Sequence, residues 1–240
     1  MTIEAQGPDI LTEAVLSTDE KSILTIIKEY LNQNRVFRLP DIVSYLSSRN
    51  AQLSTPLGYA EVNKILWSLI KKRIVVPGSK LSHDTILDNP TRGQIYDFVT
   101  KNPGSYYREI MKNLDIGSNE VIWHIDILMR FGFIRYSEIE ERKIFFNSAV
   151  RNDYDVEIYY LGDKRINEII QYLVQNMEGS TRTQMSNDLS MHYNTVVKNL
   201  EKLERIQLIT RSDELDTARY HINFEKFKEI LNGIESVKNV

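Results

Sequence analysis

The feature that most constrains this chain is that it repeats itself. Sliding the sequence until Ile95 falls on Ile170 aligns apolar positions without a gap. Phe98 and Val99 meet Leu173 and Val174, and Ile110 and Leu114 meet Met185 and Leu189. Ile122, Ile125 and Leu128 meet Val197, Leu200 and Leu203, and Phe133-Ile134 meets Leu208-Ile209. Polar positions agree too: Gly104-Ser105 falls on Gly179-Ser180, and Asn119 on Asn194. An upstream copy sets Ile27, Tyr30 and Leu31 on Ile95, Phe98 and Val99, and Ile42 and Leu46 on Ile110 and Leu114. After an insertion within 47–58, Leu66, Leu69, Ile74 and Val75 fall on Ile125, Leu128, Phe133 and Ile134. The placement of that insertion makes the first copy the weakest of the three.

The middle copy reads most clearly. Asn89-Pro90 has the form of a helix cap followed by proline at the first helical position, where its missing amide costs nothing. Ile95, Phe98 and Val99 follow at helical spacing until Asn102-Pro103-Gly104 stops the helix. Ser105 is the expected cap of a short second helix bearing Ile110 and Leu114, and Asp115-Ile116-Gly117 is a turn. A third helix then carries Ile122, Ile125 and Leu128 towards the core. After Phe131-Gly132 the apolar period falls from helical to alternating. Phe133–Tyr136 and Lys143–Phe146 therefore read as a hairpin around the polar turn Ser137–Arg142.

Three helices, a short turn between the second and third, and a hairpin make a helix-turn-helix with a wing. The third copy predicts helices over Lys164–Gln175, Thr181–Leu189 and Tyr193–Arg205, with strands Leu208–Arg211 and Arg219–Asn223 around an acidic turn. The first predicts helices near Asp19–Asn32, Leu39–Ser48 and Tyr59–Arg73, and a vestigial wing, Ile74-Val75-Val76-Pro77-Gly78. The expected fold is mainly α with small β-hairpin wings (α+β). It comprises three tandem winged helix-turn-helix domains, 17–80, 84–150 and 160–223, plus a C-terminal amphipathic helix over 224–240. Ser79–Asp88 and Arg151–Gly162 are linkers, the latter reading as an extra strand or the start of a helix.

The stretch Asn89–Ile134 resembles the winged-helix units of archaeal ArsR/MarR-type transcriptional regulators. The likeness rests on Asn89-Pro90-Thr91-Arg92, the Asn102-Pro103-Gly104 stop and the Trp123-His124 pair. It covers the middle copy well, the third moderately and the first poorly. The resemblance implies a DNA-binding regulator, and pairing of two chains through terminal helices.

Groove-reading helices of this type enter with the N-terminal half of the third helix. In the third copy the outward face holds Tyr193, Asn194, Thr195, Lys198, Lys202 and Arg205. In the first it holds Glu61, Lys64, Ser68 and Lys71, with Lys72 and Arg73 adjacent; in the middle, Glu120, Trp123, Ile127 and Arg130. Phosphate contact needs cations. The first and third copies are therefore expected to touch double-stranded DNA, and Trp123 and Ile127 to mark a protein interface. Arg211 and Arg219 flank the last hairpin as further DNA candidates, with Asp213, Glu214 and Asp216 between them. The middle hairpin has Arg135, Arg142 and Lys143 around Glu138-Ile139-Glu140-Glu141. Acidic tips oppose phosphate, and the lysine rows are interleaved with Glu201 and Glu204, so an ordinary solvated face stands as the other reading. Phe227, Leu231 and Ile234 share one face of the last helix with Phe224, Ile230 and Val237, either packing on their own domain or forming a homodimer interface.

Composition narrows the field. With 30 Lys+Arg against 33 Asp+Glu and a net charge of −3, DNA affinity must come from local patches. The absence of cysteine removes disulfides and thiolate chemistry, in keeping with a cytoplasmic protein. No apolar run approaches the roughly 18 residues of a membrane span. His83, His124, His192 and His221 lack metal-ligand spacing, and no phosphate loop or nucleophile elbow is present. No cofactor and no enzymatic activity are expected. The leading reading is a DNA-binding regulator. The alternative is a winged-helix scaffold that binds protein, resembling in architecture ESCRT-II-like subunits or transcription-machinery subunits.

Overall fold

The computed structural model describes residues 16–34, 36–49, 57–212 and 218–238. Among the described residues helices dominate, with two small sheets. Among the described residues no helix is long and apolar enough to cross a membrane.

The chain forms two compact units. One runs up to Asn102 and includes Tyr106–Tyr136 and Phe145–Ala149; the other holds Pro103–Ser105, Ser137–Ile144 and everything from Val150 on. The first unit contains α1 (Thr18–Gln33), α2 (Leu39–Arg49), α3 (Tyr59–Lys71), α4 (Pro90–Lys101), α5 (Tyr107–Leu114) and α6 (Ser118–Arg130). Strands β1 (Ser105–Tyr106), β2 (Ile134–Ile139) and β3 (Arg142–Asn147) form one sheet in the order β1-β3-β2. The second unit contains α7 (Asp155–Leu161), α8 (Lys164–Gln175), α9 (Arg182–Asp188), α10 (Tyr193–Arg205), β4 (Ile209–Ser212), β5 (Arg219–Ile222) and α11 (Phe224–Lys238). The segment expected to link the second and third copies thus carries a helix of its own, α7.

In the first unit, one apolar cluster gathers Ile23, Ile27, Ile42, Leu66 and Leu69, and another gathers Ile95, Val99, Ile110, Ile125 and Leu128. Each such side chain, fully withdrawn from water, contributes roughly 1.5–3 kcal/mol. The second unit buries Ile166, Leu173, Met185, Val196, Leu200, Leu203 and Tyr220. Of these, Leu173, Met185, Leu200 and Leu203 are the residues that the repeat pairs with Phe98, Ile110, Ile125 and Leu128 of the middle copy.

Backbone details follow the repeat as closely as the core does. The helices α3, α6 and α10 each run 13 residues and end alike. Just past each end a residue adopts left-handed backbone: Arg73 (φ 56°), Gly132 (φ 78°) and Gln207 (φ 57°). The next amide reaches back to the helix: Ile74 to the Leu69 carbonyl, Phe133 to Leu128 and Leu208 to Leu203, each at 2.9 Å. This is the Schellman closure, which satisfies carbonyls that would otherwise be orphaned. Asp115 (φ 52°) and Ser190 (φ 49°) occupy matching turns between α5 and α6 and between α9 and α10.

The segment after each first helix also pairs with a hairpin. Ser180 exchanges two hydrogen bonds with Tyr220, at 3.1 and 2.9 Å, and Ser105 lies in β1 beside β3. In the first copy Phe37 takes this place, donating to the Ser79 carbonyl and accepting from the Gly78 amide. A lone Val75–Ser82 bridge is the rest of that copy's hairpin among the described residues.

Three local expectations need correction. Ser105 is a strand residue rather than a cap; Tyr106 precedes the helix, and the Glu109 carboxylate accepts its amide at 3.3 Å. The middle hairpin turns on Glu140 and Glu141 alone, both at positive φ, so its strands extend through what composition marks as a loop. On α6 the buried line is Val121, His124, Ile125, Ile127 and Leu128, leaving Ile122 half exposed at 50%. The acidic turn with Asp213, Glu214 and Asp216 lies outside the described residues.

Candidate nucleic-acid interface

Helix α10 starts at His192, whose Nδ1 accepts from the Asn194 amide at 3.2 Å. Val196, Asn199, Leu200 and Leu203 face the core, which turns Tyr193, Asn194, Thr195 and Lys198 outward over the first two turns. Tyr193 is 45% exposed; Asn194 and Lys198 are exposed and Thr195 half-buried. This half of the face is open.

The other half is occupied. Lys202 lies 3.1 Å from the Glu140 carboxylate and 5.4 Å from the centre of the Tyr160 ring. Arg205 donates from Nη1 to the Tyr160 hydroxyl at 3.2 Å, and Tyr160 is buried. Burial, then the Glu140 charge, push the Tyr160 phenol above its usual range. The tip of the middle hairpin is held here within the second unit, since Ser137 also donates to the buried Asp155. Lys202 is therefore an internal partner first, because a carboxylate already meets its charge, whereas Arg205 stays exposed and makes a hydrogen bond to a neutral phenol. Arg219 donates to the Gly179 carbonyl at 3.0 Å and is half-buried; Arg211 is exposed on β4.

On α3, Lys64 and Lys71 are exposed. Lys72 is not a free cation: its ammonium sits 2.7 Å from the buried Glu20 carboxylate, which also accepts from Ser68 at 2.7 Å and from the Ser17 amide at 2.9 Å. Ser68, expected on the outward face, is thus turned to α1. Glu61 accepts the Gly58 amide at 2.8 Å and so caps α3 rather than confronting solvent alone. Two large exposed aromatics on this helix escaped the sequence reading, Tyr59 at 69% and Trp67 at 58%. Trp67 lies three residues from Lys64 and four from Lys71, so the helical spacing that selects the lysines also selects it.

On α6, Trp123 is 54% exposed but Ile127 is 6% exposed and belongs to the core, so it is not part of an outward face. Ile122 takes its place beside Trp123. Arg130 donates to the Pro77 carbonyl at 2.9 Å. The residues that carry the family resemblance come together here. Asn89 accepts the Arg92 amide at 3.0 Å, and buried Arg92 donates from Nε to the Ile86 carbonyl at 2.6 Å. The Arg92 guanidinium lies 5.9 Å from the Trp123 ring centre, and Trp123 meets the His124 ring edge-on at 4.7 Å. His124 is buried, with Nε2 3.6 Å from Glu120 and Nδ1 without a partner among the described residues.

On α11, Ile230 is buried, Leu231 is 41% exposed, and Phe227 and Ile234 are half-buried. Gly233 permits the close approach to Tyr154: a Cβ there would fall 2.2 Å from the ring. The helix is thereby docked on its own unit, with Phe224 and Leu231 left on its outer side. Among the described residues no cluster of His, Asp and Glu could hold a metal ion.

No family model matches the sequence. Over 143 residues, 60% of the chain, it is 29% identical to an uncharacterized HTH-type transcriptional regulator of Methanocaldococcus jannaschii. The stretch aligned spans 36% of that protein.

Proposed function

We propose that the chain is a DNA-binding transcriptional regulator without enzymatic activity, built from three tandem winged helix-turn-helix domains and a C-terminal helix. The observation that carries this reading is the first half of α10, where Tyr193, Asn194, Thr195 and Lys198 stand outward from a capped helix start. That is where groove-entering helices meet base edges and phosphates. The likeness to an HTH-type regulator supports it. Lys64 and Lys71 on α3, Arg211 on β4 and the exposed Arg205 are the supporting cations; Lys72 and Lys202 serve inside the fold. The middle copy contributes Trp123 to a protein contact, and Phe227, Leu231 and Ile234 on α11 pair two chains.

The decisive measurement is fluorescence anisotropy with duplex fragments at two salt concentrations. Phosphate-dependent binding weakens steeply with salt, and Lys198→Ala lowers both affinity and salt slope, the latter by about 1. Salt-independent association, or an unchanged slope in the folded variant, overturns the reading.

A scaffold reading draws on two observations. The adjoining Ile122 and Trp123 expose half of their surface on α6, and a net charge of −3 suits a protein partner better than a polyanion. Failure to bind any duplex, with Trp123→Ala disturbing assembly, is its signature.

A further inference from the structure

The three third helices can be compared at the same outward positions. They hold Lys64, Trp67 and Lys71 on α3; Trp123, Asp126 and Arg130 on α6; and Lys198, Glu201 and Arg205 on α10. Both α6 and α10 set an exposed carboxylate in the middle, and their final arginines are tied to Pro77 and Tyr160. On α3 the middle residue is an exposed indole and both flanking lysines are exposed, with no ion pair to another described residue. Of the acids around this helix, Glu20 is engaged by Lys72 and Ser68, and Glu61 accepts the Gly58 amide.

From this we infer that the Lys64–Trp67–Lys71 stripe is a stacking site for single-stranded nucleic acid. The lysines are two helical turns apart, about 10 Å along the axis, with the indole between them. That spacing lets two phosphates of an extended strand meet ammonium groups while an unpaired base lies on the ring. Base–aromatic stacking is indifferent to sequence, because every base offers a π-face. A paired base has both faces covered by its neighbours, so a duplex cannot use the indole in this way. The inference rests on the reading of the chain as nucleic-acid-binding and deepens it: the α3 lysines can meet phosphates of either form, but the indole between them takes only an unpaired base, while α10 reads duplex.

The test uses the full chain carrying Trp123→Phe, which leaves Trp67 as the one indole of the two in the sequence. It is titrated with a roughly 15-nucleotide oligo(dT) and with a mixed-sequence duplex of equal length. Oligo(dT) should quench the Trp67 emission. Adding Trp67→Ala should weaken oligo(dT) binding about tenfold, measured by anisotropy, and leave duplex binding unchanged. Trp67→Phe should recover most of the loss. Absent quenching, an unaltered oligo(dT) affinity in Trp67→Ala, or an equal loss on the duplex would overturn the stacking site. Retained oligo(dT) binding with no duplex binding would instead sink the duplex-reading function and leave the stripe standing. Because Trp67 is exposed, circular dichroism should show all variants folded.

Discussion

Lys202 and Glu140 form an ion pair at 3.1 Å between the outward side of α10 and the tip of the β2–β3 turn. Both side chains are about three-quarters covered, and the ammonium also faces the Tyr160 ring. A cation in this position has exchanged water for a carboxylate and an aromatic face, and a phosphate would have to displace both. Lys202→Ala should therefore leave duplex affinity within about twofold while lowering stability by about 1 kcal/mol. Lys198→Ala should do the reverse. Anisotropy and urea unfolding on the two variants separate these outcomes, and equal losses of affinity would show the ion pair opening on DNA.

Glu20 is the electrostatic anchor of the first helices. Burial alone would raise its carboxyl; the Lys72 ammonium, the Ser68 hydroxyl and the Ser17 amide outweigh that and bring it from 4.5 to about 2. A carboxyl lowered in the folded state stabilises fully above its unfolded value, and that contribution fades as pH falls from about 4.5 through about 2. Glu20→Gln should cost about 2 kcal/mol at pH 7 and almost nothing at pH 2. Lys72→Met should cost more at neutral pH, about 3 kcal/mol, because it strands a buried charge. Denaturant midpoints across that range test both; a pH-independent deficit in Glu20→Gln would refute the account.

Much of this architecture was legible in the residues themselves. Apolar spacing located α3, α8 and α10 to within a residue or two, and Asn89-Pro90 marked the start of α4, because local sterics and capping decide those points. The faces were harder to read. Ile122 and Ile127 lie on opposite margins of the same apolar arc of α6, and only tertiary packing chooses Ile127 for the core. Likewise no spacing rule links Lys72 to Glu20, or Lys202 to Glu140, since these partners are brought together by long-range folding. A row of lysines reveals a side of a helix, not which of its members already have a counter-charge.

The repeated helix end offers a direct exchange. Gly132 occupies the left-handed position that Gln207 fills with a side chain at φ 57°. A side chain there crowds the following carbonyl, a cost glycine avoids. Gln207→Gly should stabilise the protein by about 1 kcal/mol, and Gly132→Gln should destabilise it by a similar amount. Thermal unfolding of the pair checks the sign. Destabilisation by Gln207→Gly would mean that the Gln207 side chain makes a contact worth more than the strain.

His124 makes stability depend on mild acid. Burial is the main force lowering its imidazole below 6.5; the Arg92 charge adds to it, and Glu120 pulls the other way. Protonation is thus easier in the unfolded chain than in the folded one, so the native state holds fewer protons just below pH 6.5. Stability is full above that value and drains away as pH falls, by at most about 1.4 kcal/mol per pH unit, until the folded imidazole itself charges. His83, stacked on Phe133 at 4.4 Å and also lowered by burial, adds a contribution of the same sign. Replacing His124 with Leu should flatten the acid limb between pH 7 and 5 without abolishing it. Glu120→Gln should steepen the limb, because it removes the one neighbour that favours the imidazolium. Urea midpoints measured at half-unit pH steps resolve the difference, and a Glu120→Gln profile shallower than the parent's would reverse the assigned roles of burial and charge.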